Sequence, residues 1–226
     1  MKVVVTGASN GMGYYAVRKF LEEGHTVYGI DIEDTDIIHP RYCHVIADVT
    51  NKSEMPRIEG VEILINNAGV QNSGRDMDVN FFGVKNATEM YGLQPDIKSI
   101  LNQASVSAHT GAEFDEYCAS KGAVLTYTKW VANQVAYYGA TCNSLSCGGV
   151  STKLNKPVID DEGCWSRIMD LTPLKKWATP EEIANWIYFL TVVNQSCTGQ
   201  DIIIDNGETM LTHFVWPTDN DGSHLL

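Results

Sequence analysis

Tyr117 and Lys121 are the two side chains whose types and spacing could perform chemistry together. They begin and end the stretch Tyr-Cys-Ala-Ser-Lys, and side chains four residues apart lie one above the other on the same face of a helix. An ammonium beside a phenol favours the phenolate and lowers the pKa of the phenol from its ordinary value of about 10. With such a shift, Tyr117 could exchange a proton near neutral pH as a general acid or base.

A glycine-rich turn follows the first predicted strand and opens the first predicted helix. It reads Thr6-Gly7-Ala8-Ser9-Asn10-Gly11-Met12-Gly13. Glycines let the backbone approach a pyrophosphate closely, and a helix N-terminus adds amide donors and a positive dipole. The turn therefore indicates a dinucleotide site, with an ordinary tight turn as the alternative interpretation.

Asp31 indicates which dinucleotide is bound. It closes the second predicted strand, 18 residues past Gly13. A carboxylate at this position accepts hydrogen bonds from a ribose diol and repels a 2′-phosphate. Neither residues 8–10 nor residues 29–39 contain an arginine or lysine that could receive that phosphate. The sequence therefore favours NAD over NADP.

The chain alternates short apolar runs with helix-length amphipathic segments, which is typical of a parallel sheet covered by helices. The predicted strands are Lys2–Thr6, Thr26–Ile30, Tyr42–Ala47, Ile63–Asn66, Ser99–Gln103, Thr141–Ser146 and Asp201–Asp205, and the predicted helices are Met12–Glu23, Val79–Gly92, Tyr117–Tyr138 and Pro180–Thr191. We predict one α/β domain over residues 1–226, a Rossmann-like, doubly wound parallel β-sheet of about seven strands flanked by helices. An irregular segment at about 150–177 is predicted as a substrate lid, and 211–226 as a tail that docks and then frays.

Composition argues against several classes of function. Sixteen basic and 28 acidic residues give a net charge of -12, which disfavours nucleic acid and anionic membranes as partners because both bind cationic surfaces. No apolar run approaches the roughly 18 residues that a membrane span needs. The six cysteines show no paired metal-ligand spacing. We therefore expect reduced thiols, no metal, and a cytoplasmic location.

Several motifs resemble those of the short-chain dehydrogenase/reductase family, in the family's order, from residue 1 to about 210. Residues 6–13 resemble its T-G-x-x-x-G-x-G turn, residues 66–69 its N-N-A-G segment, and Asp48 the residue that binds the adenine ring. Asn143 and Thr152 fall where the family has N-x-x-x-P-G-x-x-x-T. The resemblance implies a nicotinamide cofactor held by Gly7, Ser9, Asn10, Gly11, Met12, Gly13, Asp31, Asp48, Val49, Asn67, Ala68, Gly69, Tyr117, Lys121, Gly148, Val150 and Thr152.

Asn80, Ser105, Tyr117 and Lys121 resemble the family's catalytic tetrad. The resemblance implies that Tyr117 exchanges the hydroxyl proton and that Ser105 hydrogen-bonds the substrate oxygen and steadies its developing charge. It also implies that Lys121 lowers the pKa of Tyr117 and holds the nicotinamide ribose. Asn80 is expected to hold a water that links Lys121 to solvent. Taken singly, Ser105 could be a strand-end hydrogen-bonding residue and Asn80 a helix cap, but four matches in order favour catalysis.

The chain departs from the family pattern in two regions. Ten residues separate Gly69 from Asn80, roughly half the usual number, and residues 51–58 offer at most two helical turns for a crossover that normally carries a full helix. The divergent bacterial hydroxysteroid dehydrogenases of this family are trimmed in the same region. Cys147 replaces the usual proline beside the nicotinamide, and it is either a buried or a reactive thiol.

The predicted substrate follows from that likeness and from the lid. Its apolar side chains would give a mostly apolar, adaptable wall, and they are Trp165, Ile168, Met169, Leu171 and Leu174. We predict an NAD-dependent oxidoreductase that interconverts a secondary alcohol and a ketone, with a hydroxysteroid-like substrate first. The alternatives are a polyol or sugar-alcohol dehydrogenase, a 3-oxoacyl reductase and, from another class, a catalytically idle NAD-binding scaffold or sensor.

Two predicted helices carry more aromatic residues than one core needs. These residues are Phe81, Phe82, Tyr91, Trp130 and Tyr137. Surplus apolar surface on a helix indicates contact with another chain. We therefore predict a homodimer or homotetramer.

Overall fold

Seven strands form one parallel sheet at the centre of the computed structural model, which describes residues 1–210. They are β1 (Lys2–Thr6), β2 (Thr26–Asp31), β3 (Tyr42–Ile46), β4 (Ile63–Asn66), β5 (Ser99–Ser105), β6 (Thr141–Cys147) and β7 (Asp201–Ile204). Their order is β3-β2-β1-β4-β5-β6-β7, and every neighbouring pair is parallel. The predicted fold is confirmed, and the strand ends shift by one or two residues. The predicted tail, 211–226, lies outside the described residues.

Helices cover both faces of the sheet because the strands are apolar on both sides. The α-helices are α1 (Gly11–Glu22), α2 (Val84–Ala87), α3 (Ser107–Thr110), α4 (Asp115–Val135), α5 (Lys156–Ile159), α6 (Glu162–Leu171) and α7 (Pro180–Tyr188). Val3 and Val5 pack into the core beneath α1 and α7, whereas Val4 packs into the opposite core beneath α4. This alternation follows from the period of two residues in a strand.

Helix starts and extensions refine the predicted elements. Thr179 and Glu182 form a capping box at the start of α7, with the Thr179 hydroxyl accepting from the Glu182 amide at 3.2 Å. The helix between β4 and β5 runs over residues 77–92, where α2 is flanked by π-helical turns at Met77–Gly83 and Thr88–Gly92. Within residues 1–210, no helix is both long and apolar enough to cross a bilayer.

The crossover from β3 to β4 contains turns but no helix, which lies within the predicted limit of two helical turns at 51–58. Side chains from the next helical segment hold this loop instead. The Tyr91 hydroxyl donates to the Pro56 carbonyl oxygen at 2.7 Å, and the Asn86 amide donates to the Val49 carbonyl oxygen at 3.0 Å. The short loop is therefore anchored to the molecule by side-chain hydrogen bonds.

Candidate active site

Three of the four catalytic candidates, Ser105, Tyr117 and Lys121, meet in a cavity of about 240 Å³ at the carboxyl ends of β4, β5 and β6, and Asn80 does not line it. In an open parallel sheet, ligands bind at this edge. Nine of the residues predicted from the sequence line the cavity, and they are Met12, Asn67, Gly69, Ser105, Tyr117, Lys121, Gly148, Val150 and Thr152. The other predicted cofactor residues lie towards β1, β2 and β3.

Ser105 and Tyr117 form the polar centre of this cavity. Ser105 is the last residue of β5 and donates to the Ser107 hydroxyl at 3.0 Å. Tyr117 lies in the first turn of α4 and is half-buried. Burial raises the pKa of Tyr117 to about 12, although its hydrogen bond with Ser105 acts in the opposite direction. The negative charge of Glu113 raises it further.

Lys121 lies one helical turn further along α4 and is only 4% exposed. Its Nζ donates to the Gln103 carbonyl oxygen at 3.0 Å and lies 5.7 Å from the centroid of the Tyr117 ring. Burial lowers the pKa of Lys121 to about 8. Burial favours the neutral form of both groups, so the pKa of Tyr117 lies above its ordinary value in this structure, and the effect of Lys121 on that pKa stays a prediction.

Asn80 is fully buried in the π-helical turn that precedes α2. Its Oδ1 accepts from the Val70 amide at 2.8 Å, and its Nδ2 donates to the Val70 carbonyl oxygen and the Ser120 hydroxyl, both at 2.9 Å. Asn80 thus ties the loop after β4 to α4, one residue before Lys121. The water-holding role of Asn80 stays a prediction.

The glycine turn has the close backbone approach that a pyrophosphate site requires. Gly7 has φ +66, and a Cβ there would lie 2.7 Å from the Ala68 Cα. A Cβ on Gly13 would lie 1.9 Å from the Gly7 carbonyl oxygen. The Thr6 hydroxyl accepts from the amides of Asn67 and Ala68, both at 3.1 Å. These contacts join the turn to the loop after β4, and only glycine fits at either position.

The start of α1 adds donors to this turn. Asn10 occupies the N-cap without a capping side-chain hydrogen bond, and the first turn contains no acidic residue. The amides of Gly11 and Met12 therefore stand at a helix terminus that suits an anion. Together with the glycine cradle, this fits the phosphates of a dinucleotide.

Two carboxylates stand at the end of β2. Asp31 accepts from the Ser9 amide at 2.9 Å and from the Glu33 amide at 3.0 Å. Glu33 in turn accepts from the Asn10 side-chain amide at 2.6 Å. Glu33 was not predicted as a site residue, although its place two residues past Asp31 in an acidic run could have indicated it.

Asp48 and Val49 follow β3. The Asp48 carboxylate accepts from Thr50 at 2.9 and 2.8 Å and from the Arg75 guanidinium at 3.0 Å. Burial alone would raise the pKa of Asp48, but these hydrogen bonds and the charge of Arg75 hold it below the ordinary value. Val49 is buried in the core. The contact of Arg75 with Asp48 was not predicted, and the adenine-binding role of Asp48 stays a prediction.

The loop after β6 passes beneath Trp177. A Cβ on Gly149 would lie 2.0 Å from the indole, so glycine lets this ring pack against the backbone. Cys147 ends β6 and accepts from the Gln103 side-chain amide at 3.2 Å. Burial raises the pKa of Cys147 to about 12, which keeps the thiol protonated at neutral pH. The interpretation of Cys147 as a reactive thiol is therefore wrong.

The predicted lid contains α5 and α6, so it is more regular than the sequence indicated. None of the five apolar lid residues predicted as its wall lines the cavity, and the apolar lid residues that do line it are Val150, Leu154 and Trp177. Leu171 and Leu174 are exposed, and Trp165 packs edge-on against Trp177 with 5.1 Å between ring centroids. Five polar residues that were not predicted line the cavity instead, and they are Gln71, Gln103, Glu113, Asn155 and Glu208.

The burial of Lys121 predicts a specific pH dependence of stability. Its pKa of about 8 in the fold lies below the ordinary 10.5, so the unfolded chain binds the extra proton between these values. The penalty for burying the ammonium is complete below pH 8 and is lost as the pH rises to 10.5. We expect Lys121→Met to gain stability relative to the natural chain at pH 7, and this gain to shrink by about 3 kcal/mol by pH 10.5.

Urea unfolding between pH 7 and 10.5 measures the difference in the free energy of unfolding between Lys121→Met and the natural chain. Lys129→Met on the same helix is the control, because Lys129 is exposed. If the stability difference between Lys121→Met and the natural chain did not change with pH, the lowered pKa of the buried Lys121 would be refuted.

Comparison with known proteins identifies relatives of this chain. A family model described as Enoyl-(Acyl carrier protein) reductase matches residues 7–209. Glucose 1-dehydrogenase of Gluconobacter oxydans (strain 621H) is 29% identical over 248 residues, which cover 94% of this chain and 93% of the relative.

Solved structures show the same fold. A 4-hydroxyisoleucine dehydrogenase complexed with NADH is 25% identical with a TM-score of 0.82, covering 93% of this chain and 99% of that one. A structure from Agrobacterium tumefaciens with bound NADP is 24% identical with a TM-score of 0.84, covering 93% and 96%, and shows likeness of fold alone. Because the family model spans most of the sequence, the chain belongs to the short-chain dehydrogenase/reductase family, whose members are oxidoreductases that bind a nicotinamide dinucleotide.

Proposed function

We propose that this protein is an NAD-dependent oxidoreductase that interconverts a secondary alcohol and a ketone, with Tyr117 as the general acid/base. The observation that carries the proposal is the convergence of Ser105, Tyr117 and Lys121 on one cavity with Gly148 and Val150. A phenol, a hydroxyl and an ammonium around one space are the groups that alcohol oxidation requires.

Each catalytic residue has a separate role in the proposed reaction. The dinucleotide, when bound, supplies the hydride chemistry at its nicotinamide. In reduction, Tyr117 gives its proton to the substrate oxygen, and in oxidation its phenolate receives the hydroxyl proton. Ser105 donates a hydrogen bond to the same oxygen and stabilises its developing charge. The Lys121 ammonium favours the phenolate below its own pKa of about 8.

Tyr117→Phe tests this assignment because it removes the phenolic hydroxyl and keeps the aromatic ring. We expect turnover of a secondary alcohol to fall by about 10²–10⁴-fold, since that is the usual contribution of general acid–base catalysis. NADH absorbance measures turnover, and fluorescence titration measures NADH binding, which should persist. Tyr137→Phe is the control, because Tyr137 is 89% exposed. Full turnover by Tyr117→Phe would refute the role given to Tyr117, whereas NADH binding without any turnover by the natural chain would favour the idle scaffold or sensor.

The choice of NAD rests on the charges that follow β2. Asp31 and Glu33 stand together beside the glycine turn, and Asp34 and Asp36 follow within the same loop. Residues 29–39 contain no arginine or lysine. A 2′-phosphate placed here would meet several negative charges and no cation, whereas a ribose diol could donate to Asp31.

Separate titrations with NADH and NADPH test the cofactor. We expect NADH to bind at least about tenfold more tightly, because one unfavourable carboxylate–phosphate contact costs about 1.4 kcal/mol or more. Asp31→Asn should reduce the difference between the affinities for NADH and NADPH. Asp170→Asn, in the exposed part of α6, is the matched control. Equal or tighter binding of NADPH would overturn the role given to Asp31.

The cavity supports a polar substrate better than a hydroxysteroid-like one. Gln71, Glu113, Asn155 and Glu208 line it, and the five apolar lid residues predicted as its wall do not. We therefore favour a polar alcohol over a hydroxysteroid, and the likeness to a protein named glucose 1-dehydrogenase supports this choice. The acidic loop after β2 also argues against a 3-oxoacyl reductase, since such enzymes usually use NADPH.

The proposal includes a homodimer or homotetramer in the cytoplasm. Phe82 and Trp130 are nearly half exposed on the helices that cover one face of the sheet. Large exposed aromatic residues that share one face mark contacts between proteins.

All six cysteines are free thiols, which supports a reducing compartment.

Light scattering coupled to gel filtration tests this assembly. We expect Trp130→Glu to reduce the mass of the natural chain to that of a smaller species, because the substitution places a charge in the contact. Ile38→Glu, at a side chain that is 99% exposed on the β2–β3 loop, should leave the mass unchanged. A monomeric natural chain would refute the assembly.

A further inference from the structure

The charges that line the catalytic cavity are unbalanced. Among the described residues that line it, only Glu113, Glu208 and Lys121 carry a charged group. The Lys121 ammonium is buried against the Gln103 carbonyl oxygen beside Tyr117. The part of the cavity that remains for a substrate therefore faces two carboxylates and no cation.

Glu208 is the more enclosed of the two carboxylates. It follows β7, is half-buried and accepts from the Gly149 amide. Burial raises its pKa, and the negative charges of Asp205 and Glu113 raise it further. Within residues 1–210, no salt bridge includes Glu208 or Glu113. Two carboxylates that repel each other across a cavity are stabilised by a cation between them.

Glu113 stands at the exposed rim, four residues before Tyr117. Its Oε2 accepts from the Gln71 side-chain amide at 2.6 Å, and that hydrogen bond holds the carboxylate beside the opening. Its charge acts on Tyr117, so it is close enough to influence a molecule bound at the phenol.

Buried polar atoms without hydrogen-bond partners lie in the wall of the same cavity. Gln103 is 4% exposed and lines the cavity, and its Oε1 has no hydrogen-bond partner. Its Nε2 donates to the Leu145 carbonyl oxygen at 3.0 Å, which fixes the orientation of the amide and leaves Oε1 as an acceptor. A buried acceptor without a donor costs about 1–3 kcal/mol. The indole Nε1 of Trp177, which also lines the cavity, is a buried donor without a partner among the described residues, so the imbalance in this cavity is one of charge and not of donors.

We propose that the substrate is a secondary alcohol that also carries an ammonium group, an amino alcohol, with Glu113 and Glu208 as its specificity-determining residues. This inference rests on the proposed function and names its substrate class. The ammonium supplies the positive charge that is absent beside the two carboxylates, and its N–H groups can donate to both. A hydroxy acid would meet two like charges, and a neutral polyol would leave the carboxylates without a counter-ion.

Binding to the Tyr117→Phe chain with NADH tests the inference without any turnover. The probes share one skeleton and differ in one end group: 4-aminobutan-2-ol, butane-1,3-diol and 3-hydroxybutanoate. We expect calorimetry to give at least about a tenfold tighter Kd for the amine than for the carboxylate, with the diol between them. Equal affinities, or tighter binding of the diol or the carboxylate, would overturn the inference.

Substitutions then assign the preference to the two carboxylates. Glu113→Gln and Glu208→Gln keep the shape of each side chain and remove its charge. We expect each to weaken binding of the amine about tenfold and to change binding of the diol less than about threefold. Glu59→Gln is the matched control, since its carboxylate pairs with Arg57 on the surface. An amine preference that survives the double substitution would overturn the assignment.

Turnover by the natural chain with NAD separates this inference from the proposed function. Oxidation of all three probes without preference for the amine would leave the oxidoreductase standing and refute the amino alcohol. Preferred binding of the amine with no oxidation of any probe would support the ligand class and count against the proposed reaction.

Discussion

The common direction of all seven strands is the constraint on which the rest of the structure depends. Because every strand ends at the same edge, the loops after β1, β4, β5 and β6 must meet there, whatever their separation in sequence. The sheet order reverses between β1 and β4, which opens the space between their following loops. The Thr6 hydroxyl at the end of β1 accepts from the amides of Asn67 and Ala68, both at 3.1 Å, and so joins these two loops. The dinucleotide turn and the loop after β4 therefore form one rigid surface.

Burial dominates the electrostatics of the cavity. It raises the pKa of Tyr117 and Cys147 and lowers that of Lys121, so each group is driven towards its neutral form. A neutral thiol is inert and can serve as packing at the end of β6. Lys121 loses its proton more readily than an exposed lysine does, and Tyr117 beside it is hard to ionise. The charge of a bound ligand can therefore change the protonation of both groups. This sensitivity suits a reaction in which a proton must be held until hydride transfer is possible.

The sequence predicted the elements well wherever a local signal was strong. Thr179-Pro180 marks the start of α7, and the apolar run of β1 marks a strand buried on both faces. Helix α6 was missed although its ten residues are amphipathic, because Pro157, Gly163 and Pro173 in and around it indicated an irregular segment. The pKa of Tyr117 could not be read from spacing, since the degree of burial depends on elements far away in the chain. Glu208 was missed for a related reason, because only the return of the chain along β7 brings it to the cavity.

The helix-free crossover between β3 and β4 has a consequence for the lengths that this chain can accept. Its anchors are side-chain hydrogen bonds at Pro56 and Val49, while the turn at 51–54 is exposed and is held by polar contacts of Lys52 with Glu89 and of Glu54 with the Asp48 amide. Doubling the length of a flexible loop costs only about 0.6 kcal/mol of closure entropy. The turn is therefore a position at which residues, or a whole folded module, could be inserted while β4 keeps its place and the catalytic edge its geometry.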